Sequence, residues 1–69
     1  MLISELQEKL EKIKQEYGDL EVFMNCFCDG EATYVCVVRD QYDDNLACYI
    51  TDSIRYLIEI EDVEIVRKF

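Results

Sequence analysis

The stretch that decides the fold is "LEVFMNCFCDGEATYVCVV", Leu20–Val38. Apolar and other side chains alternate along its first half, so Val22 and Met24 fall on one side of an extended strand. The Asp-Gly pair at 29–30 is typical of a two-residue turn, and "ATYVCVV" after it is rich in residues that favour strands. The stretch therefore predicts a β-hairpin over about residues 20–39.

The two faces of this predicted hairpin are both apolar. Val22 and Met24 lie on one face, and an apolar set lies on the other, namely Phe23, Phe27 and Tyr34. One helix can cover only one of these faces. We therefore predict that the second face is an apolar interface, either between subunits or with a partner.

The segment "LISELQEKLEKIKQEYGDL", which precedes and overlaps the hairpin, predicts an amphipathic helix over about residues 4–17. Ser4 and Gln7 fit a capping box at its start, and Gly18 is expected to adopt the left-handed conformation that commonly ends helices. Spacings of three and four place one apolar stripe on the helix, formed by Ile3, Leu6, Leu10, Ile13 and Tyr17. This stripe is expected to pack on the Val22 and Met24 face.

The C-terminal third predicts further strands, with one ambiguous segment. "LACYIT" indicates a strand at 46–51, and a last strand is expected at 63–67. Between them, Ile54 and Leu57 also fit a helical turn capped by Asp52, whereas the alternation of isoleucines favours a strand at 54–60. The β-branched content favours the strand, and the helix remains the alternative.

Together these segments predict one small α+β domain over residues 1–69. Its N-terminal amphipathic helix packs on a four- to five-stranded antiparallel sheet. A chain of 69 residues buries only about 60% of its surface on folding, so oligomerisation is one means of added stability.

The charge of the chain is strongly acidic, with 16 Asp and Glu residues against 7 Lys and Arg residues and a net charge of −9. Such a surface repels the phosphates of nucleic acids, which disfavours direct DNA or RNA binding. A basic protein surface would be attracted to it. The alternative, that acidity only keeps a small protein in solution, is equally compatible with the composition.

The carboxylates that we predict to contact a basic partner form two groups. One group is in the loop "RDQYDDN", and the other is near the C-terminus: Asp40, Asp43 and Asp44, then Glu59, Glu61, Asp62 and Glu64. Carboxylates accept charge-assisted hydrogen bonds from arginine and lysine, as phosphates do. The loop lacks the spacing and the glycine of an EF-hand, so a solvated loop is expected in preference to a calcium or magnesium site.

The four cysteines carry the only thiol groups, and the chain has no histidine. The C-x-C spacing of Cys26 and Cys28 places the thiols about 7 Å apart on a strand, which does not suit zinc. A catalytic thiolate would need a base or a cationic neighbour. We predict reduced, packed cysteines, no metal or other cofactor, and no enzyme activity.

The N-terminus lacks a basic region followed by an apolar run, and no segment approaches the roughly 20 apolar residues of a membrane span. These features predict a cytoplasmic protein with no membrane partner.

The opening "ISELQEKLEKIKQEYGDLEV" together with the closing "IEDVEIV" resembles small uncharacterised phage and prophage proteins, in which a helix leads into a short sheet. More loosely, a leading helix, an antiparallel sheet and strong acidity are similar to the acidic anti-CRISPR proteins. The resemblance implies a phage-encoded inhibitor in the host cell cytoplasm. It would mimic nucleic acid charge and occupy a basic host protein, such as a CRISPR or other defence nuclease.

A function of another class is also compatible with the sequence. Aromatic residues on the second face would suit a homo-oligomer, such as a homodimer, that binds a small molecule or has a structural accessory role. The sequence leaves both functions open.

Overall fold

The computed structural model describes residues 1–26 and 31–69. Two helices and four strands follow one another in the order α1, β1, β2, β3, α2 and β4. Their bounds are Ile3–Tyr17, Val22–Asn25, Tyr34–Asp40, Leu46–Thr51, Ile54–Glu61 and Val63–Lys68. The predicted α+β class with an N-terminal helix is therefore confirmed, and no helix among the described residues has the length and apolar character to cross a membrane.

Over residues 1–26 and 31–69 the sheet is mixed and has four strands, in the order β1-β3-β2-β4. β2 pairs antiparallel with β3 and β4, whereas β1 runs parallel to β3, with Val22 opposite Cys48. The expectations of a purely antiparallel sheet and of a fifth strand were therefore wrong. The hairpin predicted over 20–39 was also wrong, because β3 and β4 occupy both sides of β2 and leave no side for β1.

The segment predicted as a strand at 54–60 is the helix α2. The hydroxyl of Ser53, not the carboxylate of Asp52, caps it by accepting from the N–H of Tyr56 at 3.3 Å. Leu57 is fully buried, whereas Ile58 and Ile60 are exposed. The buried position therefore follows the helical spacing of Ile54 and Leu57, and the alternation of isoleucines does not correspond to a buried strand face. The helix was the alternative that the sequence left open.

Each face of the sheet has its own helix and its own core. The face under α1 buries Val35, Val37, Cys48 and Ile50 with Ile13 of the helix. The opposite face buries Cys36, Val38, Tyr49 and Val63 with Leu57 of α2. The expectation that the second face is uncovered was wrong, because α2 packs on its centre.

The sequence predicted the C-terminal end of α1 better than its N-terminal end. The helix begins at Ile3 with Leu2 as N-cap and no side-chain capping bond, so the capping box expected at Ser4 does not form. Ile3 is 78% exposed and contributes little to the stripe. At the other end Gly18 ends the helix as expected and donates its N–H to the carbonyl of Lys14 at 3.0 Å. Its φ of 92° is positive, but its ψ of −167° lies outside the left-handed helical region that the sequence predicted.

Candidate functional site

The connection between β2 and β3 is held by its own carboxylates. Asp40 Oδ1 accepts the N–H of Tyr42 at 2.7 Å, and Asp43 Oδ1 accepts the N–H of Asn45 at 3.1 Å. Such bonds from aspartate to the backbone two residues ahead are typical of tight polar turns. The acidic loop is therefore an ordered turn, and its carboxylates occupy defined positions at one end of the sheet.

Asp62 joins this turn through a tyrosine. The hydroxyl of Tyr42 donates to Asp62 Oδ2 at 2.8 Å, and Asp62 itself ends α2 in a left-handed conformation with φ 56°. The hydrogen bond to this carboxylate raises the pKa of the Tyr42 phenol, and the negative charge of Asp62 adds to that effect. Tyr42 thus links the acids of the loop to the acid that follows α2.

The other predicted partner-binding acids have different surroundings. Glu59 pairs with Arg55 at 3.3 Å on α2, and Glu61 accepts from the amide of Asn25 at 2.7 Å. Glu64 is exposed on β4, opposite Arg39 in the β2–β4 ladder. The acids that belong to the turn or are hydrogen-bonded to it are Asp40, Asp43, Asp44 and Asp62, and Asp44 also lies 3.3 Å from Arg39.

A cleft of about 600 Å³, which we name the acidic cleft, opens beside this turn. Four of its lining residues are acids and two are aromatic: Glu21, Asp40, Asp43 and Asp44, with Phe23 and Tyr49. Among the described residues that line it, none is lysine or arginine. Carboxylates around an aromatic wall attract cations, both by charge and through the faces of the rings.

The aromatic wall of the cleft consists of two stacked rings. Phe23 and Tyr49 have centroids 5.2 Å apart with planes inclined by 25°. Phe23 is 42% exposed, whereas Tyr49 is 9% exposed. Burial raises the pKa of the Tyr49 phenol, and the nearby carboxylates of Glu61 and Asp40 raise it further. The two rings of the wall therefore stay neutral through physiological pH, and the negative charge of the acidic cleft comes from its carboxylates.

The predicted apolar interface is only partly described by the structure. Phe23 and Tyr34 are 42% and 43% exposed, and both lie on the α2 side of the sheet. Phe27 lies outside the described residues, as do Cys28 and the Asp29-Gly30 pair at which a turn was predicted. α2 covers the centre of this face with Leu57, and Phe23 and Tyr34 remain exposed on β1 and β2 of the same face.

The described cysteines differ in their burial. Cys36 and Cys48 are buried in the cores of opposite faces, so their thiols do not meet at one site, whereas Cys26 is exposed. Burial, with a smaller contribution from Cys48, raises the pKa of Cys36 to about 11, and burial also raises that of Cys48. Both thiols are protonated near neutral pH and act as packing residues. Residues 1–26 and 31–69 contain no group of three or more His, Cys, Asp or Glu side chains that are placed so that they could hold a metal ion together.

The sequence analysis did not predict three residues of the cleft region, namely Glu21, Tyr42 and Tyr49. Glu21 shares a strand face with Phe23 through simple alternation, so that signal was present. Tyr42 and Tyr49 carried no comparable signal, because their roles depend on how α2 and the sheet meet.

Comparison with known proteins adds no relative: the chain matches no protein-family model, no curated protein and no solved structure. The predicted resemblance to phage proteins therefore stays a prediction.

Proposed function

We propose that this protein binds a basic surface of another protein, and that the acidic cleft is the contact. The observation that supports this most is the composition of the cleft, which combines four carboxylates with a stacked aromatic pair and has no cation among its described lining residues. Arginine or lysine of a partner would be held by charge-assisted hydrogen bonds and by contact with the face of Phe23.

The partner class follows from charge. A surface with a net charge of −9 repels nucleic acid but attracts the proteins that bind it, because their sites are basic. We therefore propose that the chain inhibits a nucleic-acid-binding factor by presenting carboxylates where phosphates would bind. A defence nuclease of a host cell, with the chain encoded by a phage, is the specific form of this proposal.

The acids at the end of the sheet can be neutralised without losing the bonds that shape the turn. Asparagine keeps an oxygen acceptor, so Asp40→Asn and Asp43→Asn preserve the bonds to the backbone of Tyr42 and Asn45. Asparagine also tolerates the left-handed conformation at Asp62. The variant with Asp40→Asn, Asp43→Asn and Asp62→Asn, which we name the triple Asn variant, therefore changes the charge and leaves the local backbone in place.

The experiment measures binding of a fluorescent arginine-rich peptide to the chain by anisotropy, at low and moderate salt. The triple Asn variant is expected to bind at least about tenfold more weakly and to show a weaker salt dependence. The matched control neutralises three exposed acids of α1, Glu5, Glu8 and Glu11, to glutamine and alters net charge equally. Equal losses in both variants would show that only net charge matters and would overturn the cleft as the site.

Inhibition needs a second measurement. Proteins captured by the immobilised chain from nuclease-treated extract are tested for release by a short DNA or RNA duplex. Release, together with loss of capture by the triple Asn variant, supports competition for a nucleic-acid site. Capture that neither the duplex nor the variant affects would contradict charge mimicry.

The alternative function, a homo-oligomer that binds a small molecule, is less well supported than the acidic cleft. It was inferred from an uncovered apolar face, and α2 covers the centre of that face.

A further inference from the structure

β1 is an edge strand in the part of the chain that the structure describes. It is the terminal strand in the order β1-β3-β2-β4, and it pairs only with β3 among the described strands. The carbonyl of Glu21 accepts the N–H of Cys48 at 2.9 Å, so the backbone groups of Glu21 face β3. Because these directions alternate along a strand, the N–H and C=O groups of Val22 and Met24 face outward.

This edge lacks the charges that usually protect exposed strands. The strand reads "VFMN", and Val22, Phe23 and Met24 are 53%, 42% and 65% exposed. The opposite edge, β4, contains Glu64, Arg67 and Lys68. Charged side chains discourage pairing with another strand, so β1 is the edge of the two that is open to strand addition.

The two faces beside β1 differ in chemistry. On the face of Phe23 lies the acidic cleft. On the face of Val22 lies a groove of about 300 Å³ between α1 and the strand, which we name the α1 groove. Most of its lining surface is apolar and comes from residues such as Leu10, Ile13, Leu20 and Val22, and it is also lined by Glu11, Lys14 and Asp19. A strand added to β1 would present alternate side chains to these two cavities.

We propose that β1 binds an extended segment of a partner protein in which basic and apolar residues alternate. Side chains of this segment that lie opposite Glu21 and Phe23 enter the acidic cleft and are arginine or lysine. Side chains opposite Val22 and Met24 lie along the α1 groove and are apolar. This inference rests on the proposed function and deepens it, because it specifies how the basic partner is held.

Charge selects a partner segment over a second copy of this chain. Residues 20–25, "LEVFMN", contain no lysine or arginine. A second β1 strand would therefore bring Glu21 and no cation to an edge whose cleft already holds four carboxylates. Like charges placed across an interface oppose association.

The test compares two peptides of equal composition on the full chain. One alternates arginine or lysine with valine over about seven residues, and the other has the same residues in one basic and one apolar block. We expect the alternating peptide to bind about tenfold or more tightly, because only it can fill both cavities while paired with the strand.

Backbone pairing is tested from both sides of the new ladder. N-methylation of the alternating peptide at the residues whose N–H would face β1 is expected to abolish binding, whereas N-methylation of the intervening residues is not. In the protein, Met24→Pro removes an outward N–H that the sheet does not use, and it should abolish peptide binding. Circular dichroism checks that this variant folds, and the methylated peptides decide the matter if it does not.

The outcomes separate the two proposals. If both peptides bind equally and the triple Asn variant weakens both, the acidic cleft stands and strand addition is overturned. If neither peptide binds, both proposals fail. A dimer at about 50 μM in sedimentation that Met24→Pro dissociates would show that a second copy occupies the edge, which also overturns the partner segment.

Discussion

Leu57 has no exposed surface, although it belongs to a helix of eight residues. It packs with Cys36, Val38, Tyr49 and Val63 and so fixes α2 to the sheet. Leu57→Ala is expected to lower the free energy of unfolding by about 2 to 5 kcal/mol, because it removes buried methyl groups and leaves a cavity. Chemical denaturation monitored by circular dichroism measures this change.

Ile60→Ala is the matched control for Leu57→Ala. Ile60 lies on the same helix and is 59% exposed, so its truncation should cost less than about 1 kcal/mol. Similar losses in both variants would contradict the packing of α2 on this face.

Cys36 makes stability depend on pH in the alkaline range. Its pKa is raised from 9.0 to about 11 in the folded protein, chiefly by burial. Below pH 9 the thiol is protonated in both the folded and the unfolded chain, and its contribution to the free energy of unfolding is fully present. As pH rises from 9 to about 11, the unfolded chain loses this proton first, so the contribution falls by about 2 to 3 kcal/mol.

The measurement for Cys36 is urea unfolding at several pH values between 8 and about 10.5. The free energy of unfolding of Cys36→Ala should fall less steeply with rising pH than that of the unmodified chain, because the two proteins have all other titrating groups in common. Cys26→Ala, which removes an exposed thiol, is the control. Identical slopes for all three proteins would contradict the buried thiol as the cause.

At the scale of elements, the two helices begin in different ways. The hydroxyl of Ser53 caps α2, and Thr51 supports the same turn by accepting the N–H of Ser53 at 3.1 Å. Ser4 lies inside α1 and does not cap it. Ser53→Ala should therefore cost about 0.5 to 2 kcal/mol, whereas Ser4→Ala should change stability little. Thermal unfolding of the two variants measures both losses of stability. An equal loss in the two variants would indicate that Ser4 does cap α1.

The elements also show what the sequence could and could not predict. α1 was predictable because its apolar spacing and Gly18 are local signals. The residues 54–61 were ambiguous because isoleucine alternation and the Ile54 and Leu57 spacing coexist, and only the need to cover the second face selects the helix. Strand order depends on pairings between distant segments, which periodicity does not encode. For the site, the acids of the loop were predictable as a group, but their union with Asp62 through Tyr42 was not.

At the scale of the whole molecule, the excess of acids opposes folding. With 16 acidic and 7 basic residues, the folded chain concentrates like charges that are farther apart when unfolded. Raising ionic strength from about 10 to 200 mM should screen this repulsion and raise Tm. A relief of about 1 kcal/mol corresponds to about 4 to 8 °C for a domain of this size.

The triple Asn variant provides the comparison for the effect of salt. It lacks three carboxylates at the crowded end of the sheet, so its Tm should be higher at low salt and should rise less with added salt. Thermal scans in sodium chloride measure both. A Tm that is independent of salt in the unmodified chain would show that the ion pairs already balance the repulsion.

The parallel pairing of β1 with β3 also sets the order in which the sheet can assemble. The β2–β3 hairpin closes a short loop, whereas Val22 must find Cys48 across a much longer stretch of chain. β1 is therefore expected to join the sheet late and to detach first, leaving β3, β2 and β4 paired. Native-state hydrogen exchange should show faster exchange for the amides of β1 than for those of β3. A bound partner strand would slow that exchange, so the same edge would be the last part of the fold to form and the part that binding stabilises most.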